Sequence, residues 1–256
     1  MEVAEADRRL ARLRGVVRHG DPAQLLFQLR EIAVDECYNR HSVSLQPGCV
    51  VLDVGANFGV AAAFFATECA ASAVYCFEPA PATFDCLRLN LGDIPSCHLF
   101  QLGIGSARGF AELSYYDGDA AMSSFHADPA RDRNLIRIAM ENMGASASEV
   151  DERLAGRFVP EPIVCEMTTV SDVIDAHGIE RIDLLKIDIE RAEIEALKGI
   201  RDEHWSLIQQ LVLETHETQH HQAARAVLQG QGFTTQSVQD SALRGTPVEM
   251  LYATRG

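Results

Sequence analysis

No stretch of this 256-residue chain approaches the roughly 20 consecutive apolar residues of a membrane span, so no membrane-crossing helix is expected. The opening residues, MEVAEADRRLARLRG, are charged and hold no apolar stretch of the secretory-signal kind. Positive charge is scarce. The 22 Lys and Arg stand against 37 Asp and Glu, a formal net charge of −15. A surface that acidic repels phosphate backbones, so nucleic acid is not an expected partner, whereas a neutral or cationic small molecule is not opposed. Metal-type cysteine spacing is missing too. Cys37, Cys49, Cys69, Cys76, Cys86, Cys97 and Cys165 form no C-x-x-C pair and sit mostly inside apolar runs. That pattern reads as buried free thiols of a reducing cytoplasm. What is present is ordinary for a globular chain: 47% hydrophobic and 23% charged residues, enough for a large core.

Periodicity divides the chain. AEADRRLARLRGVVRH sets Leu10, Leu13 and Val17 on one helical stripe, and GDPAQLLFQLREIAVDECY begins a second helix, with Asp21 as its cap and Pro22 in its first turn. Residues 1–45 thus read as a helical extension or cap, and 46–256 as the main domain. From Gln46 onward, strands alternate with helices: CVVLDVGA, then NFGVAAAFFATECAA; AVYCFEP, then APATFDCLRLNLGD; then CHLFQLGIG as a third strand. This predicts a mostly parallel, doubly wound α/β sheet covered on both faces. The alternation breaks over about 106–162, where short helices are expected in NLIRIAMENMG and SEVDERLAGRF. An insertion of that length reads as a lid or an interface. Alternation resumes with IDLLKIDIE, AEIEALKGI, LIQQLVLETH and QAARAVLQGQG. FTTQSVQ and EMLYATR are the last strands, the final one antiparallel.

The chemistry is carried by VLDVGANFGVAAAFF. In an open α/β sheet, ligands sit beyond the C-terminal strand ends, and the first turn is the usual place. Asp53 ends the strand, and Gly55 and Gly59 allow close approach of backbone. A dinucleotide requires a glycine in the middle of G-x-G-x-x-G, where Asn57 stands here. S-adenosylmethionine has no pyrophosphate and does not require it. Glu78, at the end of the next strand, is placed to chelate ribose hydroxyls and would repel a 2′-phosphate. The competing readings are an NAD(P)-dependent oxidoreductase and a binding module without turnover.

VVLDVGANFG, VYCFEPAPATFDCLRLNL, TTVSDVI, IDLLKIDIERAEIEALKGI and LVLETH, in that order, resemble the FkbM-type S-adenosylmethionine-dependent methyltransferases over roughly residues 37–254. The resemblance implies a class I methyltransferase (Rossmann-like) fold, S-adenosylmethionine as cofactor and mainly O-methyl transfer. Carried over residue by residue, the cofactor site is Asp53, Gly55, Asn57, Gly59 and Glu78, with Gly103 and Ile104 bordering the adenine. Ser123 and Ser124 match a serine pair of the family's insertion, without an assigned role. Arg191 stands where many members have glycine. The variant resembles members that tailor polyketides and nonribosomal peptides, which implies an acceptor of that kind. Arg191 itself reads either as a contact to an acidic substrate or as a solvated charge at a helix start. A homodimer is left open, as is divalent-metal dependence.

His216-Glu217-Thr218-Gln219-His220 fits H-E-x-x-H, the zinc-protease pattern. That grip needs a helix through both histidines, whereas LIQQLVLE is a strand that places His216 at its end. No metal ligand set is therefore expected. The candidate catalytic residues are His216, as a general base, Asp188, as its rival or partner, and His41, which reaches the site only if the N-terminal helices fold over it.

Overall fold

The computed structural model describes residues 2–18 and 22–255, so the expected cap by Asp21 lies outside them. Two helices open the chain, α1 (Glu2–Val16) and α2 (Pro22–Leu29), and α2 runs on into one wide helical turn, Arg30–Val34. The first alternating run is β1 (Val50–Val54), α3 (Val60–Thr67), β2 (Ala73–Phe77), α4 (Pro81–Leu91) and β3 (Cys97–Phe100). β4 (Gly103–Ile104), β5 (Gly109–Tyr115), α5 (Pro129–Asn142), α6 (Ala147–Leu154), β6 (Glu161–Thr168) and α7 (Val170–His177) follow. The chain closes with β7 (Leu184–Ile187), α8 (Glu193–Lys198), β8 (Gln210–Thr215), α9 (Thr218–Gly230), β9 (Thr234–Val238) and β10 (Glu249–Thr254).

Seven strands form the central sheet in the order β3-β2-β1-β7-β8-β10-β9. The pairs from β3 through to β8 are parallel, and β10 is antiparallel to both of its neighbours. This order, reversing direction at β1 with one antiparallel strand set between β8 and β9, is that of the class I methyltransferase fold. The crevice at the reversal lies between β1 and β7.

Side-chain alternation along each strand builds two cores. Val51, Leu184, Val212 and Tyr252 point to the face covered by α1, α3 and the Arg30–Val34 turn. Leu52, Leu185, Leu213 and Leu251 point to the opposite face, where they meet Val173, Leu197 and Leu228 of α7, α8 and α9. Caps fit their helices. Asp128 accepts from the amides of Ala130 and Arg131 ahead of α5, and Ser146 with Glu149 makes a capping box for α6.

The structure corrects the sequence reading in two places. CHLFQLGIG is not one strand: β3 belongs to the central sheet, while β4 pairs with β6 in a separate three-stranded sheet, β4-β6-β5. The 106–162 segment is also less irregular than expected. Its start is strand β5, which pairs antiparallel with β6 from Gly109–Met167 to Tyr115–Glu161. Both expected short helices are present, as α5 and α6. Among the described residues no helix is long and apolar enough to cross a membrane.

Candidate functional site

After β1 the chain makes the loop Gly55-Ala56-Asn57-Phe58-Gly59. Gly55 and Ala56 donate their amides to the Phe77 carbonyl at 3.1 and 2.9 Å, which ties the loop to the end of β2. Gly55 has φ +81°, and a Cβ there would stand 1.9 Å from the Asp188 carbonyl oxygen. No other residue fits, because the loop and the end of β7 touch at this point. At Gly59 the constraint is different: a Cβ would meet Leu87 and Leu91 at 2.8 Å, so this glycine lets α4 pack closely. Asn57 also has a left-handed backbone, and its Oδ1 accepts from the Phe58 amide at 2.7 Å.

Glu78 is buried beside this loop. It accepts from the Asn57 amide at 3.1 Å and the Ala80 amide at 2.9 Å. Burial pushes its carboxyl up to about 7, with those two hydrogen bonds pulling the other way. Asp53 lies deeper than a strand-end reading suggests. It is 0% exposed and pairs across the ladder with Lys186, whose Nζ is 3.0 Å away. Lys186 also donates to the Gly55 carbonyl at 2.6 Å, so Asp53 acts on the loop through Lys186. Burial works against the Lys186 ammonium, but Asp53 and Asp188 outweigh it and raise its pKa. Gly103 and Ile104 sit in the small sheet, where a Cβ on Gly103 would strike Met167 at 2.4 Å.

The ends of β7 and β8 form the second half. Period-two alternation puts Lys186 and Asp188 on one side and brings Glu214 and His216 beside them, and the turn after β7 adds Glu190. Continuing the Ile187–Leu213 register by one residue sets Asp188 against Glu214. Tyr38 donates to Asp188 Oδ2 at 2.9 Å. His216 follows the last residue of β8, and α9 begins only at Thr218, so no helix runs through the H-E-x-x-H pattern. The His216 side chain is 2% exposed. Its Nδ1 is 3.0 Å from Glu193 Oε1 and its Nε2 3.2 Å from Glu190 Oε2. Burial opposes the imidazolium, but these carboxylates prevail and raise His216 well above its usual pKa. Burial opposes ionisation of Glu193, but its hydrogen bond to His216 and the His220 imidazole 3.8 Å away bring its carboxyl down to about 2. Glu31, from the turn after α2, also faces the site, and burial raises it to about 7, with the Asp188 charge adding to the shift.

Both halves line one cavity of about 280 Å³. Gly55, Ala56 and Asn57 line it together with Asp188, Glu214 and His216. Met122, Leu135, Ile136 and Met140 of the insertion and Phe27 of α2 supply an apolar wall. His41 is elsewhere: its exposed ring packs on Tyr252, with centroids 4.7 Å apart. Arg191 is neither solvated nor turned to the cavity. It is 4% exposed, pairs with Asp132 of α5 and donates to the His126 carbonyl at 3.1 Å. Ser124 donates to the Glu190 carbonyl, so Ser124 and Arg191 together pin the insertion to the β7–α8 loop.

Sequence reasoning missed Tyr38, Glu31, Lys186, Glu190, Glu193 and Glu214. All six are ionisable. KIDIE and LETH carried a legible signal, since charges at alternate positions of adjacent apolar strands must share a face.

The strand order and the glycine loop at its reversal define a class I, nucleotide-type α/β domain. Residues 53–235 match the family model described as the methyltransferase FkbM domain. The chain is 37% identical over 247 residues to the 31-O-demethyl-FK506 methyltransferase FkbM of Streptomyces tacrolimicus, covering 93% of each protein. It is 35% identical over 244 residues to the AMB antimetabolite synthetase AmbE of Pseudomonas aeruginosa, covering 90% of this chain but 12% of that protein. It is 32% identical to the methyltransferase sdnD of Sordaria araneosa, over 75% of this chain and 74% of that one. The chain belongs to the FkbM methyltransferase family, and its cofactor is S-adenosylmethionine. That membership displaces the oxidoreductase and the binding-module readings.

Proposed function

We propose that the chain methylates a hydroxyl oxygen of a small natural-product intermediate, of polyketide or nonribosomal-peptide type, in the reducing cytoplasm. One observation carries this reading: a single cavity is lined by Gly55, Ala56 and Asn57, by Asp188, Glu214 and His216, and by an apolar wall. The wall suits a largely apolar acceptor body, and the polar end suits its reacting hydroxyl. The names of the relatives, one a methyltransferase of 31-O-demethyl-FK506 and one an antimetabolite synthetase, support the acceptor class. Seven free cysteines support the compartment.

The loop residues fit the cofactor. Glu78 spends two acceptor positions on the Asn57 and Ala80 amides, and a carboxylate has roughly four, which leaves acceptors for ribose hydroxyls. Bound there, S-adenosylmethionine supplies an electrophilic methyl group. Asn57 and Gly55 hold the loop, and Lys186 locks it to β7. The apolar wall excludes water and holds the acceptor in line, so much of the rate comes from positioning. Removing the hydroxyl proton falls to Asp188, with Glu214 beside it. His216 has Glu193 on one nitrogen and Glu190 on the other, so neither is free for an acceptor proton.

Incubation of hydroxylated pathway intermediates with isotope-labelled S-adenosylmethionine, read by mass spectrometry, tests the proposal. One labelled methyl on oxygen is expected. Label on nitrogen or on a carboxylate would replace the hydroxyl reading.

A further inference from the structure

Pockets that enclose a drug-sized ligand measure roughly 300–1,000 Å³. The cavity here measures about 280 Å³, and its lining includes the Gly55–Asn57 loop assigned to the cofactor. The acceptor therefore has less than that volume, and only its reacting part can be enclosed. The open side of the cavity decides what the rest of the acceptor can be.

Phe27 of α2 and Met143, next after α5, line the cavity and are 51% and 56% exposed. Lys186, Glu190 and His216 line it too and are at most 8% exposed. The cavity thus grades from buried charge to an open apolar margin. Leu243, half-buried in the β9–β10 loop, is a third margin residue. A single exposed apolar side chain needs no special account. Here three converge from an N-terminal helix, the insertion and a loop near the C-terminus, and hydrogen bonds tie those elements together. Gln24 of α2 donates to Asp119 of the insertion at 3.1 Å. Asn142 donates to the carbonyls of Ala242 and Arg244, both at 2.8 Å. It directly precedes Met143 and grips the residues on either side of Leu243, so these two apolar side chains share one margin.

We infer that Phe27, Met143 and Leu243 form an apolar subsite for the part of the acceptor remote from its reacting hydroxyl. The inference rests on the hydroxyl-methylation reading and narrows it. The acceptor enters hydroxyl first, and its apolar body lies across the margin, where each methylene taken out of water favours binding. The N-terminal extension is then part of the acceptor site, through Phe27, and Asn142 is a positioning residue that fixes the margin's shape.

The test is calorimetry on the intact protein saturated with S-adenosylhomocysteine, with 1-butanol and 1-octanol as probes. In the parent, 1-octanol should bind at one saturable site per chain, at least about tenfold tighter than 1-butanol. The double variant Phe27→Ser/Met143→Ser, at two exposed positions, should bring that ratio below threefold, with S-adenosylhomocysteine affinity within threefold of the parent. Leu89→Ser, on α4 and 78% exposed, is the control outside the cavity and should keep the parental ratio. A parent without saturable 1-octanol binding or without chain-length preference overturns the subsite. So does a preference that survives in the double variant or is lost equally in the control. Loss of S-adenosylhomocysteine affinity in the double variant would place these side chains on the cofactor side and overturn it as well. A preference lost in the double variant alone, with no labelled methyl transferred to any hydroxyl, would sustain the subsite and fail the function proposed above.

Discussion

At the β1 and β2 rim of the cavity, side chains are spent on holding backbone in place. Glu78 braces two amides, Lys186 braces a carbonyl, and Gly55 has no room for any side chain. At the β7 and β8 rim the relation is reversed. Backbone places Asp188, Glu190, Glu214 and His216 together, and their charges face one another and the cavity. The first rim tolerates almost no change of shape, and the second almost no change of charge. A ligand read by shape belongs at the first, and a reacting proton or ion at the second.

Substitutions can break this contrast, and the largest effect is expected outside both rims, at the pin that holds the insertion. Arg191→Met leaves Asp132 charged, buried and unpaired, which should cost about 3–5 kcal/mol in urea unfolding. S-adenosylmethionine affinity measured on the folded fraction should change little. Equal loss at both rims would mean that the insertion also builds the cofactor side. Next comes shape: Gly55→Ala combines a left-handed backbone with a clash against Asp188, together roughly 2–4 kcal/mol. Calorimetry should find cofactor binding lost, and near-parental binding would show that the loop can shift. At the charged rim, Asp188→Asn should lower single-turnover methyl transfer by about 10²-fold with S-adenosylmethionine still bound. A rate within threefold of the parent would move the base elsewhere.

Smaller effects sharpen the comparison. Glu78→Gln should weaken S-adenosylmethionine by about 1–3 kcal/mol, the range for hydrogen bonds to a charged acceptor. Burial raises the Glu78 carboxyl to about 7 in the free protein, so the carboxylate needed by ribose is lost on acidification through that pH. Parental affinity should therefore fall as pH drops below about 7, and the glutamine variant should show a flatter profile. An identical pH profile in both proteins would assign the dependence to another group. Last, His41→Ala should alter turnover less than about threefold, because the ring rests on Tyr252 outside the cavity.

Much of the fold was legible because apolar runs of strand length alternated with helical stripes, and turn glycines punctuated them. β5 was not: GFAELSY alternates, but its surrounding polar, turn-rich residues mask a strand whose partner, β6, lies about fifty positions on. The shape-defined rim could be read from Gly55, Asn57 and Glu78, since a tight turn leaves a local mark. The charge-defined rim could be read only in part. Asp188 and His216 stood at strand ends, but that His216 is enclosed by Glu190 and Glu193 depends on a loop path after β7. Both Glu190 and Arg191 take left-handed backbone there, which no propensity of theirs predicts. The burial of Arg191 depends in turn on Asp132, 59 positions away.

The position of β10 bears on how the chain comes together. It lies between β8 and β9 but is made after both, and β9 pairs in the sheet with β10 alone. Until residues 249–254 arrive, β9 has no partner and the Leu211-Val212-Leu213 edge of β8 stands open. An apolar, unpaired edge is a template for association between nascent or damaged chains. A single proteolytic nick between 239 and 248 would free the strand that closes the sheet, and light scattering should then rise as chains join through β8.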